Sequence, residues 1–246
     1  DSAACLIKDG VLIAAASEER FTKVKHDPSF PKNAINFCLS KEGISPSELD
    51  HVVFHEKPFL KFDRIARSIL SSYPFSFGLF FESLVQWFKV KLWIKSTISE
   101  FLSIKEERIL FCQHHLSHAA SAFFCSPFKE AAILTCDGAG EWQTTTLGKG
   151  VSEQLEVAEC IDFPHSLGLL YSAFTAFLGF EVNEGEYKVM GMAGFGKPRF
   201  IDLVYKTIDV SEDGSFKLNM EYFSFHESES NSFNRRFRGL FGVPRK

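Results

Sequence analysis

The segment CQHHLSHAAS, residues 112 to 121, holds three of the chain's eight histidines: His114, His115 and His118. On a helix, positions four apart share a face, so His114 and His118 are spaced to bind one metal ion. The zinc-protease pattern needs a glutamate directly after the first histidine as general base, and His115 stands there instead, which disfavours a peptidase of that type. Asp137, at the end of the apolar run EAAILTCDG, follows one helix and one strand later and is the natural third ligand. Two imidazoles and one carboxylate suit iron(II) or zinc with open positions for substrate. The competing reading is an ordinary helix start whose histidines cap, pack or face water.

Three other clusters carry chemical groups. In CDGAGE, Gly138 and Gly140 follow Asp137, and glycine N–H groups in such a turn can meet phosphate oxygens directly. Asp-Gly is also the commonest tight-turn dipeptide, so a structural hairpin is the plainer alternative. In EERFTKVKHDPSFP, Lys25 is placed to meet a phosphate or polarise a carbonyl, unless the stretch is a solvated loop. In NEGEYKVMGMAGFG, Asn183, Glu184, Gly185, Glu186 and Lys188 gather at a helix start. Two glutamates there oppose a phosphate, so this cluster reads sugar hydroxyls or orients Lys188. The helix start at His165 and Ser166 has no acids and is the better place for an anion.

The elements that must position these groups follow from pattern. SAACLIKDGVLIAAAS reads as two strands around an Asp9-Gly10 turn. FPKNAINFCLSKEG is a helix with Pro31 in its first turn and Gly43 at its end. LDHVVFHE and ERILFCQ are short strands. Residues 57 to 103 are mainly helical with breaks at Pro58 and Pro74, and LSHAASAFF is a helix. A second cycle opens with three strands, EAAILTCDG, WQTTTLGKG and QLEVAECIDF. The helix SLGLLYSAFTAFLG then runs from a Ser166 cap to a Gly179 stop. EYKVMGMAGFG begins as a helix. HESESNSFNRR resembles a mobile loop.

With 246 residues, 45% hydrophobic and 24% charged, the chain has globular values and room for one large or two small domains. A net charge of -4 offers no basic field for nucleic acid. Twenty-eight phenylalanines point to an aromatic core and a subunit interface, which leaves room for a homodimer. Six scattered cysteines without CxxC spacing read as free thiols of a cytoplasmic protein. The greasiest stretch, SSYPFSFGLFFESLVQWFKVKLWI, is interrupted by Glu82, Lys89 and Lys91 and lacks a bilayer-long apolar run, so no membrane partner is expected.

The two cycles suggest two lobes facing a cleft. The first cycle has one strand fewer than the second, which implies a missing first strand. The second lacks the later strand-helix alternation of the first.

Together the stretches DSAACLIKDG, EERFTKVKHDPSFP, HHLSHAASAFF, LTCDGAGEWQTTT, PHSLGLLYSAFTAFLGF and NEGEYKVMGMAGFGKP resemble the O-carbamoyltransferases, a family with antibiotic-tailoring and nodulation-factor members. The likeness is colinear and continues through FNRRFRGLFGVPR. It implies an actin-like ATPase fold of duplicated ribonuclease H-like lobes: residues 1–126 as a first lobe lacking its first strand, and residues 127–246 as an incomplete second lobe. It further implies transfer of a carbamoyl group from carbamoyl-adenylate, made from carbamoyl phosphate and ATP, to the hydroxyl of a small-molecule acceptor. By the resemblance, His114, His118 and Asp137 hold Fe(II) or another divalent metal, and Lys25 contacts the carbamoyl or phosphate end. Gly138, Gly140 and Glu141 line the phosphate turn, and Asn183, Glu184, Gly185 and Lys188 face the nucleotide. His115 is a candidate general base on proximity alone. A strand and histidine before Asp1, a further metal-binding aspartate and the adenylate-forming domain of the family pattern are not in the chain, so weak metal affinity and no complete turnover are expected of it. The alternatives are a non-catalytic nucleotide- or partner-binding module and an actin-fold ATPase of the kind that threonylcarbamoylates tRNA.

Overall fold

Asp9 and Gly10 both adopt positive φ, 51° and 77°, as a two-residue type I′ turn requires. The turn joins β1 (Ala3–Lys8) to β2 (Val11–Ser17) as an antiparallel pair with Lys8 opposite Val11. The structure, a computed structural model, describes residues 1–71, 93–228 and 231–245. Within them the architecture is mixed α/β, with small sheets of two or three strands. The chain divides into two compact units: Asp1–Val52 with Ile94–Leu110, and Val53–Trp93 with Phe111–Lys246.

In the first unit, the short helix α1 (Glu19–Thr22) precedes α2 (Lys32–Glu42). Pro31 is the residue just before α2, and Gly43 closes the helix with a φ of 74°, the left-handed conformation glycine adopts without penalty. No neighbouring side chain caps α2. Glu18 does so instead, accepting from Asn33 N at 3.2 Å and Ala34 N at 2.9 Å. Its carboxylate meets the otherwise unpaired N–H groups of the helix start, which explains an acid only 2% exposed. Leu6, Ala14 and Cys38 form the core under the hairpin. Helix α4 (Ile94–Leu102) buries Ile98 and Leu102 in the same unit.

In the second unit, α3 (Pro58–Ser71) starts at Pro58 rather than breaking there, the first-turn position proline tolerates. Pro74 and most of the greasy stretch lie outside the described residues. Strand β3 (Val52–Phe54) meets the end of β4 (Ile109–Phe111) where Cys112 N donates to Phe54 O at 2.9 Å. Helix α5 (His114–Phe123) follows at once. Next comes an antiparallel meander of β5 (Glu130–Cys136), β6 (Gln143–Val151) and β7 (Gln154–Asp162). Ala119 and Phe123 of α5 pack on Ile133. Phe123 lies so close over β6 that a Cβ at Gly150 would stand 2.7 Å from its ring.

Helix α6 (Leu167–Phe177) has the expected cap, with Leu169 N donating to Ser166 Oγ at 3.0 Å. Gly179, φ 79°, ends it. After α7 (Glu186–Ala193) come α8 (Ile201–Tyr205) and the hairpin of β8 (Ile208–Val210) with β9 (Phe216–Leu218). The polar stretch expected to be a loop, residues 226–236, is turn and coil where it is described, and only its last two residues, Arg235 and Arg236, enter a helix, α9 (Arg235–Phe241). Asn234 Oδ1 accepts from Arg236 N and Phe237 N at its start, and Phe237, fully buried, fixes it to Phe177 and Phe223. Aromatic rings at 4.6 to 6.2 Å, from Phe174, Phe177, Phe233, Phe237 and Phe241, build this core. All six cysteines are free thiols. Among the described residues no helix is long and apolar enough to cross a membrane.

Candidate metal centre

The sequence places two histidines on one helical face and a carboxylate at a strand end, and the fold brings all three together. His114 opens α5 and His118 follows one turn later, so both rings project from the same side of the helix. Strand β5 runs alongside α5 and ends at Cys136, which delivers Asp137 to the same spot. His114 Nε2 lies 2.7 Å from Asp137 Oδ2. His118 Nε2 lies 3.1 Å from His114 Nε2 and 3.5 Å from Asp137 Oδ2. Atoms bonded to one ion at ~2.1 Å stand about 3.0 Å apart at right angles and about 3.4 Å apart at tetrahedral angles. The observed triangle therefore fits a divalent ion in size as well as in donor type.

Electrostatics favour the same occupant. Hydrogen bonding from His114, reinforced by the Gly138 N–H at 2.7 Å, outweighs burial and holds the Asp137 carboxyl well below the usual carboxylate range. Asp137 is thus anionic at neutral pH. Nδ1 of His114 is buried with no hydrogen-bond partner among the described residues, so Nε2 is the ring nitrogen facing the other donors. His118 is exposed and keeps the centre open to solvent on its side.

His55, Glu56 and His114 form a second group with converging donor atoms. Here the surroundings oppose a cation: Glu56 Oε2 is 2.5 Å from Lys61 Nζ, and the guanidinium of Arg64 sits in the field of Glu56. The group at Asp137 is the better-matched site.

The backbone around Asp137 is set by close packing. A Cβ on Gly168, in the first turn of α6, would lie 2.6 Å from the carbonyl of Asp137 and from Gly138 N. Ser166 Oγ donates to Asp137 O at 2.9 Å. The glycine inside SLGLL was the available signal for this approach, though its partner was not legible.

His115 is not the general base that proximity suggested. It is fully buried, with Nε2 2.8 Å from Gln143 O and Nδ1 2.6 Å from Thr135 Oγ1. A carbonyl only accepts, so Nε2 carries the proton and Nδ1 accepts from Thr135, whose oxygen meets Thr146 Oγ1 at 2.6 Å. Burial pushes this imidazole below its ordinary value. Both ring nitrogens are engaged within the protein.

The glycine turn is likewise occupied by its own contacts. Gly138 N donates to Asp137 Oδ1 and Gly140 N to Gln143 O at 2.8 Å. Glu141 is buried, and its carboxylate accepts from His114 N and Lys57 N. At the start of α7, Asn183 N donates to Glu186 Oε1 at 3.1 Å, and Gly185 fits where a Cβ would be 2.5 Å from Phe180. Glu184 N donates to Glu181 O. Lys188 is exposed, with its ammonium 5.7 Å from the Tyr187 ring. Lys25 is exposed and belongs to the first unit.

Comparison with known proteins gives a family model that matches the whole chain and several relatives. The model described as Carbamoyltransferase N-terminus matches residues 1–246. An uncharacterised protein of Synechocystis is 48% identical over 254 residues, covering 100% of this chain and 41% of that protein. The nodulation protein NolNO of Sinorhizobium fredii is 31% identical over 224 residues, 90% of this chain and 32% of its own. The nodulation protein NolO of Bradyrhizobium diazoefficiens is 32% identical over 111 residues, 44% of this chain and 20% of its own. The chain thus spans well under half the length of these relatives. With a family model matched from end to end, the chain belongs to the carbamoyltransferase family and corresponds to its N-terminal region.

Proposed function

We propose that this region carries the metal centre of an O-carbamoyltransferase, which moves a carbamoyl group from carbamoyl-adenylate to the hydroxyl of a small-molecule acceptor. Carbamoyl phosphate and ATP are the precursors of the adenylate in this reading. The observation that carries it is the convergence of His114, His118 and Asp137 within 3.5 Å in a chain matched throughout by the carbamoyltransferase model. The same reading takes residues 1–126 and 127–246 as the two lobes of an actin-like ATPase fold.

Fe(II) or another divalent ion, when bound, supplies electrophilic stabilisation of charge developing on the carbamoyl carbonyl and the leaving phosphate. The protein's own contribution is positional. Asp137 stays anionic and keeps His114 Nε2 directed at the centre. His118, the exposed member, leaves an approach for the acceptor. In this reading Asn183 to Lys188 face the nucleotide.

The test is carbamoyl transfer from carbamoyl phosphate and ATP to a panel of small hydroxyl acceptors. It compares wild-type protein carrying residues 1–246 in full-length form with its Asp137→Asn variant. Transfer lost in the variant supports the reading; undiminished transfer removes the centre from the reaction.

A further inference from the structure

We infer that Glu141 is the positioning residue of the metal centre, gripping the backbone of His114 instead of lining a phosphate turn. The inference rests on the metal reading of His114, His118 and Asp137 given above.

His114 is the first residue of α5, so its N–H has no acceptor within the helix. The preceding residue, Gln113, makes no side-chain cap bond. Glu141 fills that place from 27 positions further along the chain, with both carboxylate oxygens 3.1 Å from His114 N. A negative charge at a helix start also complements the helix dipole. Glu141 Oε1 accepts in addition from Lys57 N at 2.7 Å. One carboxylate thereby ties the strand-to-helix loop after β3 to the start of α5. Ser117 Oγ, donating to His55 O at 3.2 Å, is a second tie between the same segments.

The neighbouring residue explains how the carboxylate comes so close. A Cβ on Gly140 would lie 3.0 Å from His115 Cδ2 and 3.1 Å from His114 Cβ, so the loop rests directly on the helix start. Asp137 stands at one end of this five-residue loop and Glu141 at the other. The loop supplies one ligand itself and holds the helix that supplies the other two. The 2.7 Å separation of Asp137 from His114 is therefore set by the span from Asp137 to Glu141. Glu141 is only 5% exposed. Arg64, buried against the Phe163 ring at 4.9 Å, provides compensating positive charge in the field of Glu141.

The experiment is a Co(II) titration of the 246-residue chain, followed by d–d absorption and calorimetry at a temperature well below the unfolding midpoint. Wild type, Glu141→Gln and the ligand control His118→Ala are compared. Glutamine keeps the shape but turns an NH2 toward a backbone donor, so Co(II) affinity is expected to fall about 10–100-fold with an altered d–d band. A merely structural cap would lower the midpoint and leave the folded protein's affinity and spectrum intact. Glu141→Gln binding Co(II) within about twofold of wild type, with the same spectrum, overturns the inference. If Glu141→Gln does not fold, Glu141→Asp makes the same comparison: it keeps the charge but is one methylene too short to reach both donors, and wild-type affinity in it is equally fatal. Wild-type protein that binds no Co(II), or binds it no better than His118→Ala, sinks the metal reading and this inference with it. Failure of Glu141→Gln to differ from a wild type that does bind sinks this inference alone.

Discussion

His114 Nε2 and Asp137 Oδ2 lie 2.7 Å apart although 23 positions separate them in the chain. A helix start and a strand end meet there. One reaches the contact through the packing of α5 on the β5–β7 sheet, the other through the α6 start behind it.

The two donor groups sharing His114 should respond differently to substitution. His118→Ala is expected to weaken divalent metal binding at least tenfold, with little change in stability because the side chain is exposed. His55→Ala should bind within a fewfold of wild type, since Lys61 already engages Glu56. Calorimetric titration with Zn(II) or Co(II) distinguishes them; the opposite ranking would move the centre to His55 and Glu56.

Gly168→Ala should displace Asp137 without substituting any of the three converging side chains. The added methyl would meet the Asp137 carbonyl and Gly138 N at 2.6 Å, both backbone atoms that cannot swing away. A loss of about 1–3 kcal/mol is expected by urea denaturation, as for other overpacked sites. Metal affinity should fall with it. A variant of wild-type stability and affinity would show that the α6 start does not fix the loop.

His115→Ala is expected to behave as a core lesion. It empties a fully buried site and removes one hydrogen-bond partner each from the Gln143 carbonyl, which keeps Gly140 N, and the Thr135 hydroxyl, which keeps Thr146 Oγ1. The cost should be about 2–5 kcal/mol, combining the cavity with unmade hydrogen bonds. Chemical denaturation measures it; a loss under about 1 kcal/mol would contradict the buried hydrogen-bond chain.

Mild acid should destabilise the protein through the imidazoles of His115, buried, and His165, half-buried. Burial, aided by the charge of Lys217, holds His165 below the ordinary imidazole value, and burial does the same to His115. The unfolded chain therefore binds these protons more readily than the folded one. Stability from this source is complete above about pH 6.5, the unfolded value, and is lost as pH falls from there through the folded pKa. The unfolding midpoint is expected to be level from pH 8 to 7 and to decline toward pH 5. In His165→Asn the amide oxygen can accept from Leu218 N, as Nδ1 does now at 3.1 Å, without titrating. The decline should be shallower in that variant, and an identical slope would clear His165 of any part in it.

The sequence made local features readable because local rules govern them. Asp9-Gly10, Gly43, Ser166 and Gly179 all perform the turn and cap roles their types predict. The convergence of His114, His118 and Asp137 was also readable, since helical spacing and a strand-ending acid are both periodic signals. Glu141 was not. Its donors, His114 N and Lys57 N, lie 27 and 84 positions away, and no periodicity encodes a side chain reaching distant backbone. His115 was misjudged for a related reason: one step along a helix turns a residue about 100° away from its neighbour, which here points it into the sheet. Helix α9 was hidden by polar flanks, because its stability comes from Phe237 packing on distant rings rather than from its own composition.

Helix α5 rests on glycine at both ends, Gly140 beneath His114 and His115 and Gly150 beneath Phe123. A helix seated this way has little room to shift, so a side chain added at either glycine would push against His114, His115 or Phe123 and move the helix as one body. Anyone wishing to tilt that helix, and with it both His114 and His118, would therefore start from these two glycines.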